Sequence, residues 1–271
     1  MVLFMFILTN PMIQAQETKD FSSIQKKVLE AKKKGSLREA DSISRGYIEN
    51  YLLKLKEEEL YTKDKLNFIS QNFSSEKSKA FKLFLKQSTK VNTVLGDYEA
   101  QNRIIDFIVA NYLPEEDSWK AEKPDWNAIE KEITKRFGPI GREAVLGQGM
   151  VYYWRIGNDW NNYAKYYTLY FQLALRHTRF YANNFSWSIF EHINDPKVLS
   201  FACDVVMKYV IENGDQSDYY AYDTYANLLY KTGKKEQAIE WEEKAVKQSN
   251  QEKVFVETLE KMKKGVVTWV N

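Results

Sequence analysis

Histidine, cysteine and carboxylate side chains build most catalytic and metal sites, and this chain holds few of them in useful arrangements. Its two histidines, His177 and His192, fall on different predicted helices. Neither shows the short spacing that sets two imidazoles on one metal. No Ser, Cys or Asp grouping surrounds either one in sequence, so a general base would lack its partners. Cys203 is the only cysteine. One thiol cannot form an intramolecular disulfide or a CxxC pair, and in FACDVVMKYV its surroundings suit a small core residue. The carboxylate runs at 57–59 and 115–117 stand beside lysines in polar stretches, where nothing would desolvate them. GQGM at 147–150 lacks the later glycine or lysine of a phosphate loop and reads as a helix break. The expectation is a chain that is not an enzyme, with no catalytic residue, metal site or cofactor.

Aromatic side chains offer another kind of chemistry, and they crowd between Val151 and Phe190. Tyrosine and tryptophan present an apolar face with a polar tip, which suits a groove that stacks sugars, peptides or aromatic ligands. Trp154, Trp160, Tyr163 and Tyr167 are the candidates for such a ligand or partner surface. The other use of the same residues is packing. Trp160, Tyr163, Tyr167 and Tyr170 recur at helical spacing, and one aromatic helix face normally points into a core. The spacing leaves both uses open.

The elements that must position these residues are helices. From Asp20 onward apolar residues recur at three and four, with little strand-like alternation. Leu37, Ala40, Ile43, Tyr47, Tyr51 and Leu55 form one stripe after a stop at Gly35. The stretches 66–73, 80–85 and 104–113 continue the pattern. The segment LPEEDSWKAEKPDW, with Pro114 and Pro124, is the expected linker at 114–124 between an N-terminal helical part (16–113) and a C-terminal one (125–271). Asp125 to Phe137 predicts a helix stopped by Gly138 and Pro139. Asp159 is expected to cap a long helix to Leu175. Asp195 followed by Pro196 places a cap before a proline at the first helical position, where its missing N–H costs nothing.

The segment YDTYANLLYKTGKKEQAIEWEEKAV follows the tetratricopeptide pattern of two helices held close by small residues. Tyr222, Ala226 and Leu229 form the inner face of its first helix, together with Tyr225. Gly233 makes the turn. Ala238 and Ala245 hold the small positions of the second helix, with Trp241 between them. Glu242 departs from the pattern, since an aromatic is usual there, and Asn250 replaces a common terminal proline. The same register one repeat earlier sets Ala202 against Ala238 and Trp187 against Tyr222. A lone repeat cannot bury its own face, so stacked neighbours are expected over about 180–250, closed by a helix at 254–262. The fold class that follows is all-α, with antiparallel helical hairpins stacked as a tetratricopeptide-like superhelical array.

These motifs, with GNDWNNYAKYY and NNFSWSIFEHINDPKVL, resemble the helical C-terminal region of secreted thioredoxin-like proteins of the Bacteroidota. A looser likeness extends back to about Asp20. Members of that family usually carry a thioredoxin domain ahead of these helices, and its active-site cysteines have no counterpart here. The resemblance implies the fold, a cell-envelope location and a redox partner, and carries no redox activity onto any residue of this chain.

The apolar run from Val2 to Leu8, the break at Pro11 and the small Ala15 have the layout of a signal peptide over 1–15, without its basic start. A periplasmic or secreted protein is expected, with no stable membrane insertion after cleavage, because the run is too short to span a bilayer. The 39 Lys and Arg nearly cancel the 37 Asp and Glu, so no global field attracts nucleic acid. A non-catalytic repeat protein that binds a protein or peptide follows; the alternative is an aromatic-groove binder of a glycan or small molecule.

Overall fold

The computed structural model describes residues 11–271 except Lys120, Asp215, Gln216, Val270 and Asn271, with the side chains of 11–20 set aside. The expected signal peptide therefore lies largely outside the described residues. Those residues form fifteen α-helices and no strand. Two compact units divide after Phe107.

In the first unit the helices are α1 (Pro11–Lys33), α2 (Leu37–Asn50), α3 (Glu57–Leu60), α4 (Lys63–Ser70), α5 (Lys79–Lys86), α6 (Ser88–Leu95) and most of α7 (Glu99–Tyr112). Phe21, Tyr47 and Phe68 meet ring to ring, with Phe21 and Phe68 edge-on at 5.5 Å. Phe73, Phe81, Phe84 and Phe107 form a second aromatic cluster. The expected apolar stripe on α2 holds at Ala40 and Tyr47, both buried, while Leu37 is 68% exposed in the first turn. The division at 107 falls inside α7, earlier than the proline-marked stretch at 114–124. The reason is that Phe107 belongs to the phenylalanine cluster of the first unit, whereas Tyr112 packs on Phe137 of the second. Prolines mark where a helix stops, and the division follows the packing.

The second unit continues with α8 (Trp126–Phe137), α9 (Pro139–Ile156), α10 (Trp160–Ala174), α11 (Ala182–His192) and α12 (Pro196–Val206). The last three are α13 (Tyr219–Lys231), α14 (Lys235–Gln248) and α15 (Lys253–Lys264). Their starts are fixed by local chemistry. The carboxylates of Asp125, Asp159, Asp195 and Asp218 each accept from backbone N–H groups of the first turn they precede. Asp195 accepts from both Lys197 and Val198, and Pro196 sits at the first helical position as the sequence predicts. Asp195→Ala is expected to lower stability by about 1 kcal/mol, read as the shift of the denaturant midpoint, while Asp195→Asn retains most of it.

GQGM does not break a helix. Gly147 and Gly149 lie inside the continuous α9, which ends only at Gly157, in the left-handed conformation. The glycines serve close approach. A Cβ on Gly149 would stand 2.7 Å from the Tyr166 ring of α10, and one on Gly141 would stand 2.7 Å from the Ile133 carbonyl of α8. Bare backbone lets α8 and α10 press onto α9, so the glycines' low helix propensity is outweighed by packing.

Consecutive helices then pack on one another from α8 to α10 and from α11 to α15. In addition α11 contacts α13, the next helix but one. The α13–α14 hairpin is built on small residues. Ala226, Ala238 and Ala245 have no exposed surface and Leu229 has 1%. Gly233 turns the chain at φ +83°. Trp241 meets Tyr222 and Tyr225, each with ring centroids at 5.3 Å, and the Lys244 ammonium lies 3.5 Å from its ring centroid.

Candidate functional site

The four aromatic residues singled out in sequence separate into two kinds. Tyr163 and Tyr167 have no exposed surface. The Tyr163 hydroxyl donates to the Phe185 carbonyl at 2.6 Å, and the Tyr167 hydroxyl pairs with the Ser186 hydroxyl at 2.7 Å. Ser186 in turn donates to the Ala182 carbonyl at 2.8 Å. These rings lock α10 to α11, and their burial raises both hydroxyl pKa values well above the usual tyrosine range. A ligand could reach them only by entering the core. As members of a ligand surface Tyr163 and Tyr167 are therefore withdrawn, because the α10 face that carries them points inward.

Trp154 and Trp160 are half-buried; Trp154 lines a groove, and Trp160 reaches one only through the residue it stacks on. The Trp154 indole N–H donates to the Ser188 hydroxyl at 3.0 Å, and its ring packs on Phe185 at 5.0 Å. This fixes the indole on the wall of a groove of about 580 Å³, shared with Gln148, Val151, Arg155, Phe180 and Phe185. Arg155 is paired with Glu116, also in the lining. The groove offers an aromatic wall with hydrogen-bonding groups at its edge, and its charges are balanced.

Trp160 stacks face to face on His192, with centroids 3.6 Å apart and planes 13° from parallel, and meets Tyr163 edge-on. His192 lines a second groove, of about 820 Å³, along α10. Asn161, Lys165, Thr168 and Gln172 form its wall. These four follow helical spacing along one outer face. The inner face carries the tyrosines, so α10 is aromatic toward the core, while toward the groove it sets these polar residues beside Ala164 and Leu169.

A third groove, of about 300 Å³, lies beside a π-helical turn at Met207–Ile211, with Arg176, Tyr181 and Tyr209 in its lining. Such turns interrupt the regular hydrogen-bond ladder and re-aim the side chains that follow.

One pairing was not foreseen from sequence. His177 Nε2 lies 3.3 Å from Glu143 Oε2, and Glu143 is 5% exposed on α9. A carboxylate that orients an imidazole is one part of a general-base arrangement. Neither residue lines any of the three grooves, and the pair joins the end of α10 to α9. The signal available in sequence was Glu143 itself, a carboxylate set among the glycine and apolar residues of α9. His192, by contrast, ends α11 and has Glu191 at 3.8 Å.

Cys203 is buried on α12, and burial pushes its thiol up to about 12, so the thiolate that would react is scarce at neutral pH. Among the described residues there is no group of three or more His, Cys, Asp or Glu placed to hold a metal ion. No described helix is long and apolar enough to cross a membrane.

No family model matches the chain, and no curated protein or solved structure matches it either. What the structure establishes, among the described residues, is an all-α fold of packed helices, with these grooves on its second unit.

Proposed function

We propose that this chain is a non-catalytic, tetratricopeptide-like interaction protein of the cell envelope that binds a protein or peptide partner. The observation that carries this reading is the order of helix contacts from α11 to α14. Each helix packs on its neighbour, and α11 also packs on α13, as it would if one hairpin stacked on the next. Repeat stacking leaves a row of helix faces without a covering layer, and the outer face of α10, where Asn161, Lys165, Thr168 and Gln172 stand beside Ala164 and Leu169, fits an extended peptide, whose backbone needs hydrogen-bond partners. A separately made thioredoxin-like protein is the first partner to test, on the resemblance of the α10–α14 motifs. Export rests on the run from Val2 to Leu8 and on Ala15.

The test is a crosslinking pull-down from envelope extract with the whole chain as bait, compared with a Lys165→Glu, Gln172→Lys variant of the α10 face. A partner captured by the first and lost by the second supports the reading. Capture of the same partners by both would remove α10 as the docking face, and no specific capture under crosslinking would overturn the function. Fractionation of cells making the chain with and without 2–8 tests export.

A second reading has its own observation, the half-buried Trp154 held by Ser188 on the wall of the 580 Å³ groove. In this reading the groove takes a glycan or an aromatic small molecule. Titration of a glycan and aromatic panel is expected to find a ligand whose affinity falls about tenfold or more in Trp154→Ala. An unchanged affinity in that variant would end this reading.

A further inference from the structure

Glu242 is the residue at which the last repeat departs from its pattern, and the structure gives that departure a chemical content. Its side chain is on α14 with no exposed surface, inside the hairpin that α14 forms with α13. Neither carboxyl oxygen receives a hydrogen bond from any N–H or hydroxyl group. What it faces is the carboxyl of Asp223 on α13. Asp223 is half-buried and held from one side: the Asn227 amide donates to its Oδ1 and to its backbone carbonyl, both at 2.9 Å.

A fully buried carboxylate facing a second, half-buried one is strongly disfavoured when both are ionised and no cation is near, and an unpaired buried charge costs far more than a buried neutral acid. The charged groups nearest the pair on the surrounding elements act on other partners. On α13 the Lys231 ammonium donates to the Phe190 carbonyl of α11 at 2.6 Å. On α14 Lys244 lies over Trp241, and Glu243 pairs with Lys263 of α15 at 2.7 Å. Lys234, in the turn, and Asp204 of α12 act on Cys203. Glu212, beside the π turn, acts on Tyr225. Glu252, ahead of α15, faces the Tyr219 hydroxyl. Among the described residues no Lys, Arg or His acts on either carboxyl of the pair.

We propose that Asp223 and Glu242 hold one proton between them inside the last repeat, and that loss of this proton above neutral pH loosens the α13–α14 hairpin. With one proton present, the protonated carboxyl donates to the other, Asn227 supplies a further donor, and the pair carries a single charge. Without it, two negative charges face one another in a desolvated space. The repeat then acts as a proton-linked element whose packing depends on the pH outside it. This holds whatever the chain binds.

The direction of the titration agrees. Burial, reinforced by Asp223, pushes the Glu242 carboxyl up to about 9, and burial pushes Asp223 up to about 6. Both are raised above the ordinary values of 4.5 and 3.8, so the folded chain keeps a proton that the unfolded chain has already released. For a carboxyl raised in this way the penalty on folding is absent below the unfolded value. It grows as pH rises toward the folded value and levels off above it. Stability is therefore expected to fall as pH rises from about 4.5 toward about 9, and the stretch between pH 7 and about 8.5 lies above the ordinary carboxylate range, where other carboxyl groups no longer titrate. The buried tyrosines release protons in the unfolded chain above that window; Cys203 begins to do so at its upper end, a contribution that wild type and Glu242→Gln share, so the difference between the two isolates the carboxyl pair.

The experiment is a carboxyl-carbon NMR titration of the whole chain labelled at glutamate, with denaturant unfolding at several pH values. The wild type is expected to show one glutamate that titrates well above pH 6, absent in Glu242→Gln. In Asp223→Asn its midpoint is expected to drop by about two pH units, because the new amide can donate to Glu242 and the facing charge is gone. Glu242→Gln, which keeps the shape and can donate to Asp223, is expected to flatten the fall in unfolding midpoint between pH 7 and 8.5. No glutamate titrating above pH 6, or an identical pH slope in wild type and Glu242→Gln, would overturn the proposal. If Glu242→Gln failed to fold, the wild-type titration and Asp223→Asn would still decide it.

Discussion

Tyr167→Ala is expected to destabilise the second unit by about 3–5 kcal/mol, whereas Tyr167→Phe is expected to cost only about 1 kcal/mol. The ring has no exposed surface and touches Phe171 and Phe201, so truncation leaves a cavity on the inner side of α10 that its neighbours cannot fill. The phenylalanine variant keeps the ring and removes one hydroxyl. Its partner Ser186 still donates to the Ala182 carbonyl, so little is left without a hydrogen bond. Denaturant unfolding followed by tryptophan fluorescence measures both. A small loss in Tyr167→Ala would mean that the site collapses readily, and would reopen the aromatic face of α10 to a ligand.

That comparison also shows where the sequence stopped being informative. Helix starts were legible because an Asp cap acts on N–H groups only two or three residues ahead, so Asp159 and Asp195 state their role locally, and Asp125, read as the first residue of its helix, caps it in the same way. The last hairpin was legible for a similar reason, since its small residues and Gly233 lie within one short segment. The fate of the aromatic residues was not. Spacing places Trp160, Tyr163 and Tyr167 on one helix face, yet that face is covered by α11, whose position depends on the chain beyond it. Burial therefore graded along the face, from half-exposed Trp160 to fully enclosed Tyr163 and Tyr167. Trp154, one helix earlier, reached a groove because Ser188 and Phe185 hold its indole at the rim.

The charged residues follow the same rule. Glu143 and His177 meet across two helices, and Glu242 meets Asp223 across a hairpin turn. A carboxylate in a helical stretch shows in sequence only which neighbours it has on its own helix. Glu242 was visible as a break in the repeat pattern, and the burial that gives the break its chemistry comes from α13.

Glycine substitutions in α9 and α2 are expected to move stability in opposite directions, and this follows from what each new Cβ would meet. Gly149→Ala places a methyl group 2.7 Å from two carbons of the Tyr166 ring. That ring is 1% exposed and packed against Tyr153, so it has little room to withdraw. Gly141→Ala meets the Ile133 carbonyl at 2.7 Å and the Phe137 Cβ at 2.8 Å, both fixed on α8. Overpacking of this kind costs about 1–3 kcal/mol, more than the helix-propensity gain of roughly 1 kcal/mol that alanine brings. Gly46, in the interior of α2, has nothing within 4 Å of the same position. There the propensity gain stands alone, and Gly46→Ala is expected to stabilise by about 0.5–1 kcal/mol. Thermal unfolding of the three variants separates the cases by the sign of the shift in Tm. A rise for Gly149→Ala and Gly141→Ala as well would mean that α8, α9 and α10 do not approach this closely. The glycines of α9 would then have no packing role to offset their cost in the helix.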